Sequence, residues 1–433
     1  MKVIPLKVVV SPPDSPRAGV DMRWRWRYLL DAPHRLGFFC AALMLALSAL
    51  WWSAVLLGRA AGYSPAWALT PPAAHALLMT LGYTPLFITG FLFTAGPKWL
   101  DQPAVPARSL LAPLLVMLLG WCAVLAGLHL SADLAAAGMA LVAGGWSALC
   151  WHFARLVRTS RMPDRVHAGV VALACVVGAL TMWVAAGALA SGSLVILRAA
   201  TQVALWGFVA TVFAAVSHRM IPFFSASALP RLDAWRPMWM LWLMVSVLWF
   251  EALGALAALV WGPLGAPLCW TQVAIELPAG VVLLWLASRW GAVRSLKIRM
   301  LAMLHGGFVW LGLALTLAAV SHALMALSAG VHSLGLAPTH ALTMGYLGAT
   351  LLAMATRVSS GHSGRSLAVD NIAWALYWLL QAAVLLRIVA ALWPALGTLF
   401  TLLAVLAWTA STVAWALRYG NWFVRPRIDG RPG

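Results

Sequence analysis

Two segments of the chain place a histidine and a methionine four residues apart, at 75–79 and at 340–344. On a helix, residues with this spacing lie on one face. Two neutral imidazoles can hold the iron of a b-type haem, imidazole also binds copper, and a thioether suits Cu(I). The pattern predicts that His75 and His340 hold a haem iron or another metal between them, with Met344 as a weaker candidate ligand.

Small residues follow each of these histidines within one to two turns, at Gly82 and at Gly345. Small side chains let a flat or bulky group approach the helix backbone. We therefore expect space for a porphyrin beside these glycines.

Other histidines are further candidates for copper or for a second haem, namely His218, His305 and His322. The last of them begins a third His-Ala-Leu-Met string, at 322–325. The alternative is an interfacial histidine that bonds only to water or a carbonyl, because His-Ala-Leu strings are unremarkable in a chain this rich in Ala and Leu. For the methionines, the alternative is packing.

A basic stretch rich in Gly and Ser runs from 356 to 365 and contains Arg357, His362 and Arg365. Such residues suit an anion-binding loop, for example one that holds haem propionates. The alternative is a loop whose arginines only set membrane topology. Upstream, Pro222 stands four residues after His218 and predicts a helix break there.

Two acidic residues, Glu251 and Glu276, fall deep inside apolar runs that we expect to form antiparallel helices. Counting from the helix ends places both carboxyl groups at a similar depth, with Gln272 one turn before the second. A carboxyl group inside a membrane is often functional, and these two are candidates for proton handling. The alternative is a protonated glutamate that bonds to a neighbouring helix.

The elements that carry these residues are membrane helices. Of the 433 residues, 63% are hydrophobic and 9% are charged, and the mean hydropathy is +0.89. Long apolar runs without alternation predict an all-α polytopic protein of one transmembrane domain, 1–433. The expected spans are 36–58, 72–96, 109–129, 133–156, 166–190, 194–218, 237–260, 265–289, 301–328, 338–356, 371–392 and 395–417.

The net charge of +18 could suggest nucleic acid as a partner, but the basic residues form short clusters between apolar runs. With the N-terminus inside, all 29 Lys and Arg residues except Arg59, Arg198 and Arg387 fall on the cytoplasmic side. This predicts a bacterial inner-membrane protein whose basic tails, 1–35 and 418–433, are both cytoplasmic. We expect no cleaved signal peptide.

Several motifs resemble the NnrS family over essentially the whole chain. They are GFLFTAGPKW at 90–99 after His75, RMIPFF at 219–224, RVSSGHSGR at 357–365 after His340, and APHR at 32–35 followed by Phe38 and Phe39. The resemblance implies twelve helices, haem and copper, and a link to denitrification and nitric oxide resistance. Many members read HAHEM where this chain has Leu77 and Leu78, so a metal role for that second imidazole does not carry over.

A looser likeness is to the haem-copper oxidase and nitric oxide reductase core. That core also has twelve helices and holds a low-spin haem between histidines of its second and tenth helices, the ordinal places of His75 and His340. This chain lacks the HxH pair on helix ten and a His-His pair after helix six, so the likeness is an analogy at the level of the fold.

Three functions remain open on this basis. The first is a haem protein of the nitric oxide response, served by an unidentified electron donor, in which Glu251 and Glu276 handle protons. The second is a secondary transporter of a metal, haem or small anion that uses the same two acids. The third is an assembly factor whose histidines serve packing only. The sequence leaves open whether any of these is catalytic.

Overall fold

The computed structural model of the chain describes residues 21–229 and 232–431. Within these ranges it has no strands, and twelve helices are long and apolar enough to span a membrane. They are α1 (Pro33–Ala60), α2 (Pro71–Trp99), α3 (Arg108–Leu130), α4 (Ala132–Thr159), α5 (Val166–Ala190), α6 (Leu194–Ala228), α7 (Met238–Trp261), α8 (Ala266–Arg289), α9 (Arg299–Leu327), α10 (Ala337–His362), α11 (Asn371–Leu392) and α12 (Pro394–Phe423).

The all-α polytopic architecture predicted from the sequence is therefore confirmed. A short 3-10 helix, Trp26–Leu30, precedes α1, and a single turn, Ala292–Ser295, links α8 to α9. Part of the predicted N-terminal tail, 1–20, lies outside the described residues, as does Arg231 of the loop after α6.

Two helices run further than the sequence predicted. Pro222 does not end α6, which continues to Ala228. A proline removes one backbone hydrogen bond, and a helix packed among others tolerates that loss. Likewise, residues 357–362 form the last turns of α10 and not a loop. The guanidinium of Arg357 lies 3.7 Å from the ring centroid of Phe224, so the two extensions pack against each other.

Three helices, α2, α6 and α10, form the centre of the bundle and are the most deeply buried of the described spans. Each contains a π-helical segment, at Leu78–Gly82, Ala204–Ala210 and Ala341–Gly348. A π-helical turn inserts one extra residue and redirects the side chains that follow, and such turns are frequent at functional sites. His340 stands directly before the π segment of α10, and His75 stands three residues before that of α2.

Glycines allow the outer helices to pack closely. A Cβ atom built at Gly37 of α1 would lie 2.6 Å from the backbone of Gly90 in α2. Between α3 and α4, a Cβ atom at Gly120 would lie 2.6 Å from the carbonyl oxygen of Gly138. Backbones at this distance exclude any larger side chain.

The first and last described segments of the chain meet at one end of the bundle, which we call the terminal face. The Arg25 N–H donates to the Val424 carbonyl at 3.0 Å, and the Trp24 indole donates to Asn421 at 2.6 Å. The buried Arg35 guanidinium donates to the carbonyls of Phe423 and Arg425, at the C-terminal end of α12. A cation there interacts favourably with the helix dipole. We call the other end of the bundle the opposite face.

The close approach of α3 and α4 yields a prediction. In Gly138→Val, the new side chain meets the backbone of Gly120 and of Val124, so the helices must separate. Overpacking of this kind costs about 1–3 kcal/mol. We expect the thermal midpoint of the purified protein to fall by several degrees.

Gly144→Val is the matched control, because it places the same side chain on the same helix, where no atom lies within 4 Å. Equal midpoints for the two variants would contradict the packing described.

Candidate functional site

His75 of α2 and His340 of α10 lie together at the opposite face. Each stands in the first turns of its helix, after Pro71 and Pro338 respectively, where a proline suits the start of a helix. The two imidazoles are close enough to interact electrostatically, and Arg387 of α11 interacts with both. The spacing pattern in the sequence pairs the two histidines, but nothing in the sequence links Arg387 to them. Their role as ligands stays a prediction.

Each imidazole of this pair has a ring nitrogen that is suited to coordinate a metal ion. His340 donates from Nδ1 to the Leu336 carbonyl at 2.9 Å, which leaves the lone pair on Nε2. The Nδ1 of His75 is buried and has no hydrogen-bond partner. Its ring stacks on Trp52 of α1, with centroids 4.0 Å apart and planes 23° apart. The stacking fixes the plane of the His75 imidazole.

Trp52 belongs to an aromatic row at the opposite face. Trp51 stacks on Trp52 with centroids 5.9 Å apart, and its indole donates to His129 at 3.1 Å. Trp67 covers His129 from the other side, at 4.6 Å. The row joins α1, α3 and the loop before α2. Through the stacking of Trp52 it also supports one face of the His75 ring. No motif in the sequence singles out these tryptophans, because their contacts join separate helices and a loop.

The expected space beside the glycines is filled by protein. A Cβ atom at Gly345 would lie 2.7 Å from the Trp310 ring, and one at Gly82 would lie 3.3 Å from Ser48 Oγ. These glycines serve contacts with α9 and α1, so the expectation that they border a porphyrin was wrong. Met344 packs at the edge of the hydrophobic core. Among the described residues, no group of three or more His, Cys, Asp or Glu side chains could hold a metal ion.

Arg357, His362 and Arg365, the candidates for an anion-binding loop, lie at the other end of α10. Arg357 is about 25 Å beyond His340, at 1.5 Å per residue, and His362 and Arg365 lie further still. This distance exceeds the reach of a haem propionate from its iron, so these residues are too far away to serve a haem held by His75 and His340. Their role at another cofactor stays a prediction. Arg357 packs on Phe224 and Arg365 on Trp422, at 4.1 Å.

His362 forms a second imidazole pair, with His34 of α1, at the terminal face. The ring centroids are 4.6 Å apart, and the Nδ1 of the buried His34 has no hydrogen-bond partner. Three cations interact electrostatically with both rings, namely Arg35, Lys98 and Arg427. In the sequence, His34 stands out only within the family motif, because no local pattern links residues more than 300 positions apart.

The C-terminal segment after α12 covers this second pair. Arg427 donates to the His362 carbonyl at 3.1 Å, and the Ile428 N–H donates to Ser363 at 3.1 Å. Asp429 accepts from the Arg427 guanidinium at 2.7 Å, and this hydrogen bond lowers the pKa of the Asp429 carboxyl group to about 2. The ion pair thus holds the segment against the end of α10.

The remaining candidate histidines are largely engaged by protein. His218 uses both ring nitrogens, one with His167 at 2.9 Å and one with the Pro237 carbonyl at 3.1 Å. His305 of α9 bonds to the Ser225 hydroxyl at 2.8 Å, while its Nδ1 has no partner. These contacts tie α6 to α5, α7 and α9.

Glu251, Glu276 and His322 form one cluster across α7, α8 and α9. The two carboxyl groups are close enough to interact electrostatically, and Oε1 of each is buried without a hydrogen-bond partner. His322 Nδ1 donates to Glu276 at 2.9 Å. The helix positions predicted from the sequence place the two acids at a similar depth, but they do not link His322 to them. The cluster lies toward the opposite face, on the least buried side of the bundle.

An apolar cavity of about 50 Å³ lies between α1, α2, α6 and α10. Phe38, Phe87, Phe91, Phe213 and Met354 are among the residues that line it. A water-sized molecule needs about 10–15 Å³ on this measure, so the cavity has room for more than one diatomic molecule. Phe38 also contacts His34, with centroids 6.2 Å apart, so the cavity adjoins the second imidazole pair.

Twelve apolar helices with paired imidazoles at both ends define a polytopic membrane protein with candidate haem or metal sites. The family model for NnrS protein matches residues 28–427, nearly the full length. The chain belongs to the NnrS family, which fits a membrane protein of the nitric oxide response. Comparison with curated proteins found no match.

The ion pair between Arg427 and Asp429, beside His34 and His362, yields a prediction. In Asp429→Asn, Arg427 loses its acidic partner, so the segment detaches more often from α10. We expect faster amide exchange at Ile428, whose N–H bonds to Ser363, when it is measured by hydrogen–deuterium exchange.

The pH dependence has a definite sign. The folded pKa of Asp429 lies below its ordinary value, so its stabilisation is present above about pH 4 and is lost as the pH falls toward 2. Exchange at Ile428, corrected for intrinsic rates, should rise over that range in the native protein and stay level in the variant. Asp133→Asn, an exposed acid at the opposite face, is the control. A native protein with flat exchange would refute the role of this ion pair.

Proposed function

We propose that this protein is a haem-binding membrane protein of the nitric oxide response, with a b-type haem held by His75 and His340. The single observation that carries the proposal is the pairing of these two imidazoles on neighbouring central helices of a chain that belongs to the NnrS family. The protein would bind both haem and nitric oxide.

The donor set at this pair fits a haem. One nitrogen of His75 is buried without a partner, and the hydrogen bond of His340 to Leu336 leaves its other nitrogen free to ligate. A backbone acceptor of this kind fixes the tautomer of many metal-ligating histidines. Arg387 supplies a positive charge for a propionate in place of Arg357 and Arg365. When bound, a haem supplies a one-electron redox centre and an iron with high affinity for nitric oxide.

The apolar cavity supports nitric oxide as the ligand. The molecule is small, neutral and partitions into lipid, so it needs no polar channel to enter the bundle. The cavity adjoins the second imidazole pair through the contact of Phe38 with His34, and its lining is almost wholly apolar. It would hold a neutral diatomic molecule and would not favour an ion.

The charge pattern supports the bacterial inner membrane as the location, with the terminal face in the cytoplasm. In the predicted topology, every Lys and Arg residue except Arg59, Arg198 and Arg387 lies on the side of the terminal face. Both termini would then be cytoplasmic, and the pair of His75 and His340 would face the periplasm.

A second cofactor, haem or copper, would sit at the terminal face between His34 and His362. Their rings are in contact and a nitrogen of His34 has no partner, whereas His218 and His322 are hydrogen-bonded to protein groups. The cations around this pair favour a haem with its propionates over a bare metal cation.

The transporter hypothesis gains no supporting observation. It relied on Glu251 and Glu276, and substrate sites of secondary transporters lie at the interface between repeats near the membrane midplane. In this fold the two acids lie between peripheral helices, α7 and α8, away from the central α2, α6 and α10.

The test is haem content by the pyridine haemochrome assay in the native protein and in His75→Ala and His340→Ala. We expect each variant to lose the haem of this site, because a single imidazole holds a b-type haem weakly. His332→Ala is the matched control, since it removes an exposed histidine of the loop just before α10. Thermal midpoints report whether each variant is folded.

The same preparations test the ligand and the second site. Nitric oxide should shift the Soret band of the native protein, and His34→Ala should lower the total of haem and copper per chain. A folded native protein, produced with ample haem, that shows no Soret band would overturn the proposal. Full haem in both His75→Ala and His340→Ala would overturn the assignment of its ligands.

A further inference from the structure

A cleft of about 370 Å³ opens between the outer halves of α7 and α8. Its walls are apolar, and Leu253, Val260 and Leu268 are exposed there to the surrounding membrane. Ligand sites for small molecules usually have volumes of about 300–1,000 Å³. The cleft is thus of the right size for a small ligand that arrives through the lipid.

The inner end of the cleft is polar. Gln272 lines it, is 4% exposed, and its Oε1 has no hydrogen-bond partner. Its amide packs against Gly254, where any larger residue would displace it. Within one turn of these two residues lie Glu251 and Glu276, and Oε1 of Glu251 is likewise buried without a partner. An unpaired buried oxygen costs free energy, so these atoms call for a hydrogen-bond donor.

The charges around the cleft limit which kind of molecule can supply that hydrogen-bond donor. Across the described residues, the electrostatic partners of Glu251, Glu276 and His322 include no lysine or arginine. An anionic phospholipid headgroup would meet carboxyl groups without any compensating cation. It would also have to leave the membrane surface, since Gln272 stands more than one turn inside α8. The ligand that fits is neutral, apolar along its body and polar at one end.

We propose that the cleft between α7 and α8 binds the headgroup of a membrane quinol. A quinol is a neutral flat ring with hydroxyl donors and an apolar tail that stays in lipid. Its hydroxyl groups would donate to Gln272 Oε1 and to the Glu251 carboxyl group, and its tail would leave past the exposed Leu253 and Val260. Binding needs no haem, and only the role of the quinol as the electron donor rests on the proposed function.

The cluster of Glu251, Glu276 and His322 suits the chemistry of such a ligand. Oxidation of the quinol to a quinone releases two electrons, which the proposed haem would accept one at a time, and two protons, which a carboxylate and an imidazole beside the ring can accept. The nearby carboxyl groups of Glu251 and Glu276 and the hydrogen bond of Glu276 to His322 give those protons acceptors from α7 to α9. The site therefore differs in ligand and in position from both imidazole pairs.

The test uses the full-length purified protein and a short-chain quinol that carries a photoreactive azide. We expect cross-linking to peptides of residues 250–272, and competition by an unlabelled quinol but not by phosphatidylglycerol. In Ala257→Trp the indole fills the cleft, and cross-linking there should fall at least tenfold. Ala258→Trp is the control, because it puts the same side chain on the exposed, adjacent position of α7 and should leave cross-linking within about twofold.

A second pair of variants tests the polar end. Gln272→Leu should weaken quinol binding about two- to tenfold, as the loss of one hydrogen bond does. Gln381→Leu removes another buried glutamine, on α11, and should have no effect. Cross-links outside 250–272, equal labelling of Ala257→Trp and native protein, or equal displacement by phosphatidylglycerol would overturn the proposal. Because the readout needs no haem, these results stand apart from the haemochrome assay.

Discussion

The limiting constraint on this bundle is the small number of partners available to polar groups inside a membrane. Only 9% of the residues are charged, and an unpaired polar group in an apolar interior costs several kcal/mol. The fold meets this constraint by gathering its polar side chains at helix–helix contacts. His218 joins α6 to α5 and α7, His305 joins α9 to α6, and His322 joins α9 to α8.

Other buried polar atoms have no hydrogen-bond partner within the protein. Among the described residues they include ring nitrogens of His34, His75, His167 and His305 and the amide oxygen of Gln272. Three of them lie in different parts of the bundle: His75 at the opposite face, His34 at the terminal face and Gln272 beside the cleft of α7 and α8. What sets these three apart is their surroundings, since each lies beside a second imidazole or a cleft and not only among packed helices.

The sequence predicts the architecture well and the sites only in part. Twelve spans follow from hydropathy, since a membrane imposes both length and composition on each helix. Local rules failed at Pro222 and at residues 357–362, where packing between α6 and α10 overrides a proline and a run of Gly and Ser. The contact between His34 and His362 was beyond local reasoning, because it depends on how α1 meets α10. The same holds for Arg387 and Trp52, whose positions beside His75 depend on α11 and α1.

The contact between Arg35 and the end of α12 has a consequence for biosynthesis. The carbonyl acceptors of the Arg35 guanidinium belong to residues 388 and 390 positions further along the chain. This contact can therefore form only after all twelve described helices have been synthesised. Until then the first helix carries a charged side chain without these two acceptors, and such a group is costly inside a membrane.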